Sequence, residues 1–321
     1  MYRFLAASAT RAPCRLTRSE SNAALLLRAT RSGPCSGAVA RLILRKMRAC
    51  VRGYDVILPK AEAVGLAHSA SGKSACAEKS KMADAKDVLD AVRHALKSEA
   101  RVRPTQGPIR LSLADGALTM EGEVADIAGK KLALKAAAKV PGVGLIIDRL
   151  HVRPATPMGD GEIRDKVRDA LLEETALADC TIRVFVKGEL ETVRAPANAT
   201  GTIDIKVEDG IVTLDGDVAG WGQKRLAGVL AWWVPGSRDV INGLGVTPPE
   251  EDSDDAVTDA VLQVLEKDPF VNAESIRVQT RNAVVVLSGV VPRAAERDLA
   301  ENDAWYVFGV DNVINRLDVR P

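Results

Sequence analysis

The sequence predicts an α+β protein of three tandem small domains, each running helix, strand, strand, helix, strand, with two helices packed on a small mixed sheet. Three observations carry this reading. One glycine-centred pattern recurs as Asp115-Gly116-Ala117-Leu118-Thr119-Met120-Glu121-Gly122, as Asp209-Gly210-Ile211-Val212-Thr213-Leu214-Asp215-Gly216 and as Asn282-Ala283-Val284-Val285-Val286-Leu287-Ser288-Gly289. Twenty residues beyond the last glycine of each lies another, Gly142, Gly236 and Gly309. At fixed offsets after it come Ile146, Val240 and Val313; Asp148, Asn242 and Asn315; Leu150, Leu244 and Leu317; Val152, Val246 and Val319. Finally, the apolar spacing switches between helical and alternating periods at matching places in each copy.

The first helix of each copy is read from apolar residues at i, i+4, i+8: Val88, Val92, Leu96; Ile163, Val167, Leu171; Val257, Val261, Leu265. Acidic residues crowd its first turns, where the helix dipole favours them, as with Asp84, Asp87, Asp160, Glu162, Asp252, Asp254 and Asp255. A first strand follows from alternation at Ile109, Leu111, Leu113; Ile203, Ile205, Val207; and Ile276, Val278. Asp115-Gly116 and Asp209-Gly210 read as two-residue hairpin turns, because glycine tolerates the positive φ that a type I′ turn requires. Ala283 stands in the glycine's place in the third copy, so its turn is expected to be strained or of another type. The second strand ends near Val124, Val218 or Val290, and a second helix reaches Val140, Val234 or Val307 and stops at the following glycine. The last strand returns parallel to the second through a right-handed crossover.

Domain boundaries fall at 82–154, 155–250 and 251–321, behind a leader of residues 1–81. The middle copy holds about 20 extra residues, in which Thr181 to Val186 alternates like a strand and Val193 to Gly201 reads as a loop. The leader is basic and poorly patterned, with fifteen Lys+Arg against four Asp+Glu. It is expected to be disordered or to lie upstream of a true start at Met82. A phosphate-loop near miss ending in Gly72-Lys73-Ser74 begins with Ala67 where the motif needs glycine.

The chain's net charge of +1 is therefore the sum of unlike parts: the first copy has twelve basic and nine acidic residues, the second ten and sixteen, the third seven and fourteen. No run of about 18 uncharged apolar residues occurs, so no transmembrane span is expected. Without a signal peptide or lipoprotein anchor the expected compartment is the cytoplasm. Cys14, Cys35, Cys50 and Cys76 in the leader and Cys180 in the body match no metal-ligand spacing. No cofactor and no metal are expected.

The combination D-G-x-V-T-L-x-G, a helical interval, G-V, then V-x-N-x-L-x-V resembles the BON domain, named for bacterial osmotically inducible and nodulation proteins. The resemblance covers 82–321 as three copies and is fullest in the second, EDGIVTLDGDV with SRDVINGLGV. The first copy has Asp148 where the pattern has Asn, and the third lacks the turn glycine. The resemblance implies a non-catalytic α+β module of stress or envelope proteins, often linked with phospholipid or membrane surfaces. Many relatives lie in the periplasm or cell envelope, which is the alternative to a cytoplasmic placement.

Catalytic residues are not expected. His68, His94 and His151 are scattered, and no nucleophile elbow, dinucleotide fingerprint or zincin helix is present. The candidate lipid-binding residues are Lys131, Lys135 and Lys139 on the second helix of the first copy, with Lys130 nearer the core edge; a basic helix face attracts anionic phospholipid. Trp232, Trp233, Trp305 and Tyr306 are candidate interface residues: helical geometry sends Trp232 and Trp305 away from their own cores, to pack repeat on repeat, join two chains or enter a bilayer. A protein-interaction or self-association module built on these aromatics is the alternative function. Asp148, Asn242 and Asn315 share the inward phase and are expected to bond backbone near the glycine end of the second helix. Nucleic acid is not an expected partner, given the acidic body.

Overall fold

The computed structural model describes residues 56–57, 85–105, 107–114 and 116–320, all within one compact unit. His68, the phosphate-loop near miss, the turn residue Asp115 and the reading of the leader lie outside the described residues, except for one short strand noted below.

The first repeat runs α1 (Ala85–Ser98), β2 (Arg110–Ala114), β3 (Ala117–Val124), α2 (Ile127–Ala138) and β4 (Leu145–Val152). It is preceded by β1 (Val56–Ile57), which lies in the leader and was not expected there. The second runs α3 (Asp160–Glu173), β5 (Cys180–Val186), β6 (Glu189–Arg194), β7 (Gly201–Glu208), β8 (Ile211–Val218), α4 (Trp221–Trp233), β9 (Asp239–Asn242) and β10 (Gly245–Val246). The third runs α5 (Asp254–Lys267), β11 (Ile276–Arg281), β12 (Val284–Val291), α6 (Ala294–Tyr306) and β13 (Asn312–Val319). Each repeat pairs an antiparallel hairpin with a parallel last strand, so the helix between them crosses over one face of the sheet. The fold is thus α+β in three repeated units.

The inserted residues of the second repeat are a β-hairpin. Strand β5 runs parallel to β7, as far as Val184 on Ile205, and β6 lies antiparallel outside it, so the expected strand is present and the expected loop begins after Arg194. Sheet two is thereby extended to the order β10-β8-β7-β5-β6, with β9 also on β8.

The hairpin turns show how the first helix fixes the second structural layer. Asp209 and Gly210 lie at φ 53 and 76, and Asn282 and Ala283 at φ 51 and 61, so the third repeat keeps the same turn with alanine held in a left-handed conformation. The acids at the starts of the first helices grip these turns. Asp160 accepts from the Asp209 and Gly210 amides at 3.0 and 2.8 Å, and Asp254 from the Asn282 and Ala283 amides at 2.6 and 3.0 Å. These aspartates satisfy turn donors besides facing the dipole.

The second helices end earlier than expected, at Ala138, Trp233 and Tyr306, three or four residues before the glycine. Gly142 and Gly309 then take φ of 96 and 94 in the following turn. Gly236 does not adopt positive φ; a Cβ there would meet Met158 Cβ at 2.7 Å, so close packing, not chirality, explains it.

Two repeats have separate apolar cores, around Val92, Met120 and Leu150 in the first and Ile163, Ile203 and Leu214 in the second. The third core is different. Its cluster also takes in Val124, Ile127, Ala128 and Val152 of the first repeat and Val229 of the second, with Trp305 only 1% exposed among them. At roughly 1.5–3 kcal/mol for each large apolar side chain removed from water, this shared cluster binds the repeats into one body.

Candidate functional site

The residues that the sequence marks as chemically interesting converge on the junction of the three repeats, and most are consumed there. Lys131 projects from α2 as expected, half-buried, and its ammonium turns onto the third repeat. It donates to the carbonyl oxygens of Trp305 at 2.6 Å, Val310 at 3.2 Å and Val307 at 3.5 Å, and lies 5.9 Å from the Trp305 ring centroid. Burial pushes its pKa down to about 8. Carbonyls of the third repeat thus engage the Lys131 ammonium. Lys135 is half-buried, with its Nζ 3.4 Å from the Asp311 carbonyl, and Lys139 is exposed.

Arg225 occupies in α4 the position of Lys131 in α2. Its guanidinium is fully buried and donates to Phe308 O at 2.9 Å, to Asp252 at 2.5 Å and to Ala256 O at 3.4 Å. Beside it Trp221 stacks on Phe308 with centroids 6.2 Å apart, and Lys224 Nζ lies 4.5 Å from the Phe308 ring. Neither Arg225 nor Phe308 was marked from the sequence. The signal lay in the repeat alignment, which sets Arg225 against Lys131.

The helix-end aromatics meet within the chain. Trp232 stacks on Tyr306 with centroids 5.6 Å apart and planes 18° apart, and the Trp233 indole donates to Asp303 at 2.9 Å. Burial, with Asp268 nearby, pushes Asp303 up to about 7. Trp305 lies in the shared apolar cluster against which Leu132 of α2 packs. Contacts between repeats engage these four side chains, burying Trp305 and leaving the other three half-buried.

A third polar cluster joins the first two repeats. Lys130 Nζ stands 3.0 Å from Asp148 and 2.5 Å from Asp239, all three largely buried. Burial would lower the Lys130 pKa, but Asp239 and Asp148 outweigh it and hold the ammonium charged. His151 faces this cluster, with Nδ1 4.0 Å from Asp239, and burial lowers its pKa. It is half-buried.

Asp148, Asn242 and Asn315 contact the start of the second helix, not its glycine end. Asn242 donates to the Lys224 carbonyl at 2.7 Å and Asn315 to the Arg297 carbonyl at 3.0 Å, while Asp148 meets the Lys130 ammonium; each partner is the fourth residue of its helix. Their oxygens turn the other way. Asp148, Asn242 and Asn315 accept from the amides of Leu150, Leu244 and Leu317 at 2.8, 3.4 and 3.1 Å. Those amides lie on the outer edge of the last strand, so the side chain consumes a donor that would otherwise invite another strand.

One broad surface keeps unpartnered charge: the face of sheet three opposite α5 and α6. Register sets Arg281 beside Val284, Gln279 beside Val286 and Ile314, and Arg277 beside Ser288 and Arg316. Ile314 and Val290 are 37% and 43% exposed. Among the described residues Arg277, Arg281 and Arg316 have no carboxylate partner. The face also carries Asp318, beside Val290 and 3.5 Å from Arg320, so it is mainly cationic and aliphatic although it belongs to the most acidic repeat.

Among the described residues no helix is long and apolar enough to cross a membrane, and no group of three or more His, Cys, Asp or Glu is placed to hold a metal ion. Osmotically-inducible protein Y of Escherichia coli (strain K12) is 34% identical over 124 residues, which are 37% of this chain and 62% of that protein. The match thus spans less than two thirds of the relative's length. The C-terminal domain of CdsD, the structural protein of the type III secretion system of Chlamydia trachomatis, aligns at 15% identity over 74% of this chain and 100% of its own. Its TM-score of 0.20 is too low to carry an argument. The BON domain family model matches at residues 84–154, 159–248 and 253–321. These three matches cover most of the sequence, and the chain belongs to the BON domain family.

Proposed function

We propose that this chain is a non-catalytic protein of osmotic or envelope stress that associates with anionic phospholipid surfaces through the open face of sheet three. The observation that carries the reading is the triplet Arg277, Arg281 and Arg316 around Val286 and Ile314. Three unpartnered guanidinium groups on an otherwise acidic repeat leave a local attraction for lipid phosphate, worth about 1 kcal/mol per charge near such a surface. The aliphatic centre adds contact with the headgroup boundary. The name of the Escherichia coli relative, osmotically-inducible protein Y, supports the stress setting. The compartment we propose is the cytoplasm, with the periplasm or cell envelope as the alternative.

Cosedimentation of the full chain with phosphatidylglycerol vesicles at low salt tests this. Pelleting is expected, with loss when Arg277, Arg281 and Arg316 are together changed to Glu and no change for Lys131→Gln. No pelleting, or equal pelleting of the triple variant, overturns the proposal. Added salt should weaken binding, because a local cluster on an acidic body is screened within about 10 Å at 0.1 M.

A further inference from the structure

We propose that the groove between α2 and the free edge of β13 receives an extended acidic segment of a partner protein, added as a strand to sheet three. The groove encloses about 380 Å³ and is walled by Leu132, Lys135 and Lys139 of α2, with Arg101, Trp305 and Val313. It thus lies between a helix and an edge strand, the arrangement in which peptides are captured by backbone pairing on one side and side-chain contacts on the other.

The molecule carries its own precedent. In the first repeat, β1 pairs antiparallel with the outer edge of β4 at Ile146 and Ile147. The same positions in the third repeat are Val313 and Ile314, and there β13 is the edge of its sheet. The direction of the free groups follows from the ladder. Asn312 N donates to Ala283 O and Arg320 N to Val291 O, at 3.4 and 2.9 Å, so even-numbered amides of β13 serve β12 and odd-numbered ones point to the open edge. Of these, Leu317 N is taken by Asn315. The available stretch is therefore the beginning of β13, around Val313, and this is where the groove opens. In β4 the added strand likewise pairs before Asp148, which occupies the Leu150 amide.

Charge selects the occupant. The wall carries Glu99 and Glu301 against Arg101, Lys135 and Lys139; Arg101 is paired with Glu301, while Lys135 and Lys139 have no carboxylate partner among the described residues and outnumber Glu99. Both stand on the wall facing the strand edge, so a segment with carboxylates flanking its paired residues is matched. The chain's own leader, with fifteen Lys+Arg against four Asp+Glu in residues 1–81, has the wrong sign.

The test is fluorescence anisotropy of the full chain with a labelled hexapeptide of alternating valine and aspartate, beside its valine–lysine counterpart. Saturable binding of the acidic peptide alone is expected, with slowed amide exchange over residues 312–315. Lys135→Glu with Lys139→Glu should weaken it about tenfold or more. Val313→Pro should abolish it, since proline removes an outward amide and leaves the bonds to β12 intact. No saturation at millimolar peptide, equal binding of the lysine peptide, or unchanged affinity in the charge-reversed variant overturns the proposal. So does loss of binding on changing Arg277, Arg281 and Arg316 to Glu with the groove intact, which would assign the peptide to the open sheet face.

Discussion

Lys131 and Arg225 occupy the same position in two repeats, and both carry a cation to the carbonyls around the end of helix α6 in the third. The last carbonyls of a helix have no partner within it and carry its negative pole, so two cations there satisfy acceptors and complement the dipole together. The third repeat has Asp298 at the equivalent position, paired with the adjacent Arg297 at 2.9 Å. Copies of one unit have thus become non-interchangeable through a single column of the repeat.

The two cations should differ in worth. Arg225 binds Asp252 as well as Phe308 O and Ala256 O, so Arg225→Met leaves a carboxylate and two carbonyls short and should cost about 3–5 kcal/mol in urea unfolding. Lys131→Met removes an ammonium that burial already disfavours, and should cost about 1–2 kcal/mol. A larger loss for Lys131→Met would contradict this ranking.

Asp303 makes the junction between the second and third repeats sensitive to pH. Its folded pKa, about 7, lies above the ordinary aspartate value of 3.8, so the folded state holds the proton more tightly between the two. Its contribution to stability is present at low pH and is lost as pH rises through that window. Asp303→Asn keeps an oxygen for the Trp233 indole and should raise stability at pH 8 by on the order of 1–3 kcal/mol, with little effect at pH 4. Melting curves across that range decide it; an equal shift at both ends would assign the effect to packing.

Backbone strain offers a third check. Ala283 sits at φ 61, so Ala283→Gly should stabilise the chain by about 1 kcal/mol. The strand glycines behave oppositely. A Cβ at Gly289 would lie 2.0 Å from Ser275 O and at Gly216 2.1 Å from Thr202 O, whereas at Gly122 the nearest atom is Ile109 Cα at 3.4 Å. Alanine should therefore be much more damaging at Gly216 and Gly289 than at Gly122, as thermal denaturation of the three variants would show.

These glycines also show what the sequence could convey. Their spacing carried the fold, because turns and crossings impose local demands that recur with every copy. The helical phase of Trp305 likewise placed its ring outside the core of its own repeat. It could not say what would cover the ring, since the cluster around it, against which Leu132 packs, joins residues 173 positions apart and depends on how the repeats dock. The engagement of Lys131 by the third repeat was hidden for the same reason: a charge on an outward face stays free only if no neighbour takes the face. The arginines of sheet three were hidden in a different way. Arg277 and Arg281 alternate with buried residues, and Arg316 joins them only through the β12 register.

The cluster of Lys130, Asp148 and Asp239 yields the most demanding prediction. Its single lysine balances two carboxylates from different repeats, 3.0 and 2.5 Å away. Lys130→Met leaves those carboxylates buried and facing one another, a loss of about 3–5 kcal/mol at pH 7. Each acid in the variant would then hold its proton more tightly folded than unfolded, so the variant is relieved as pH falls and penalised as it rises. The difference from the parent chain should therefore shrink between pH 7 and pH 4. Asp239→Asn provides the contrast, because Asp148 still neutralises Lys130, and it should cost less than half as much at pH 7. Urea unfolding of the three proteins at both pH values separates charge from packing: an equal deficit for Lys130→Met at pH 4 and pH 7 would mean that the lysine serves only to fill space.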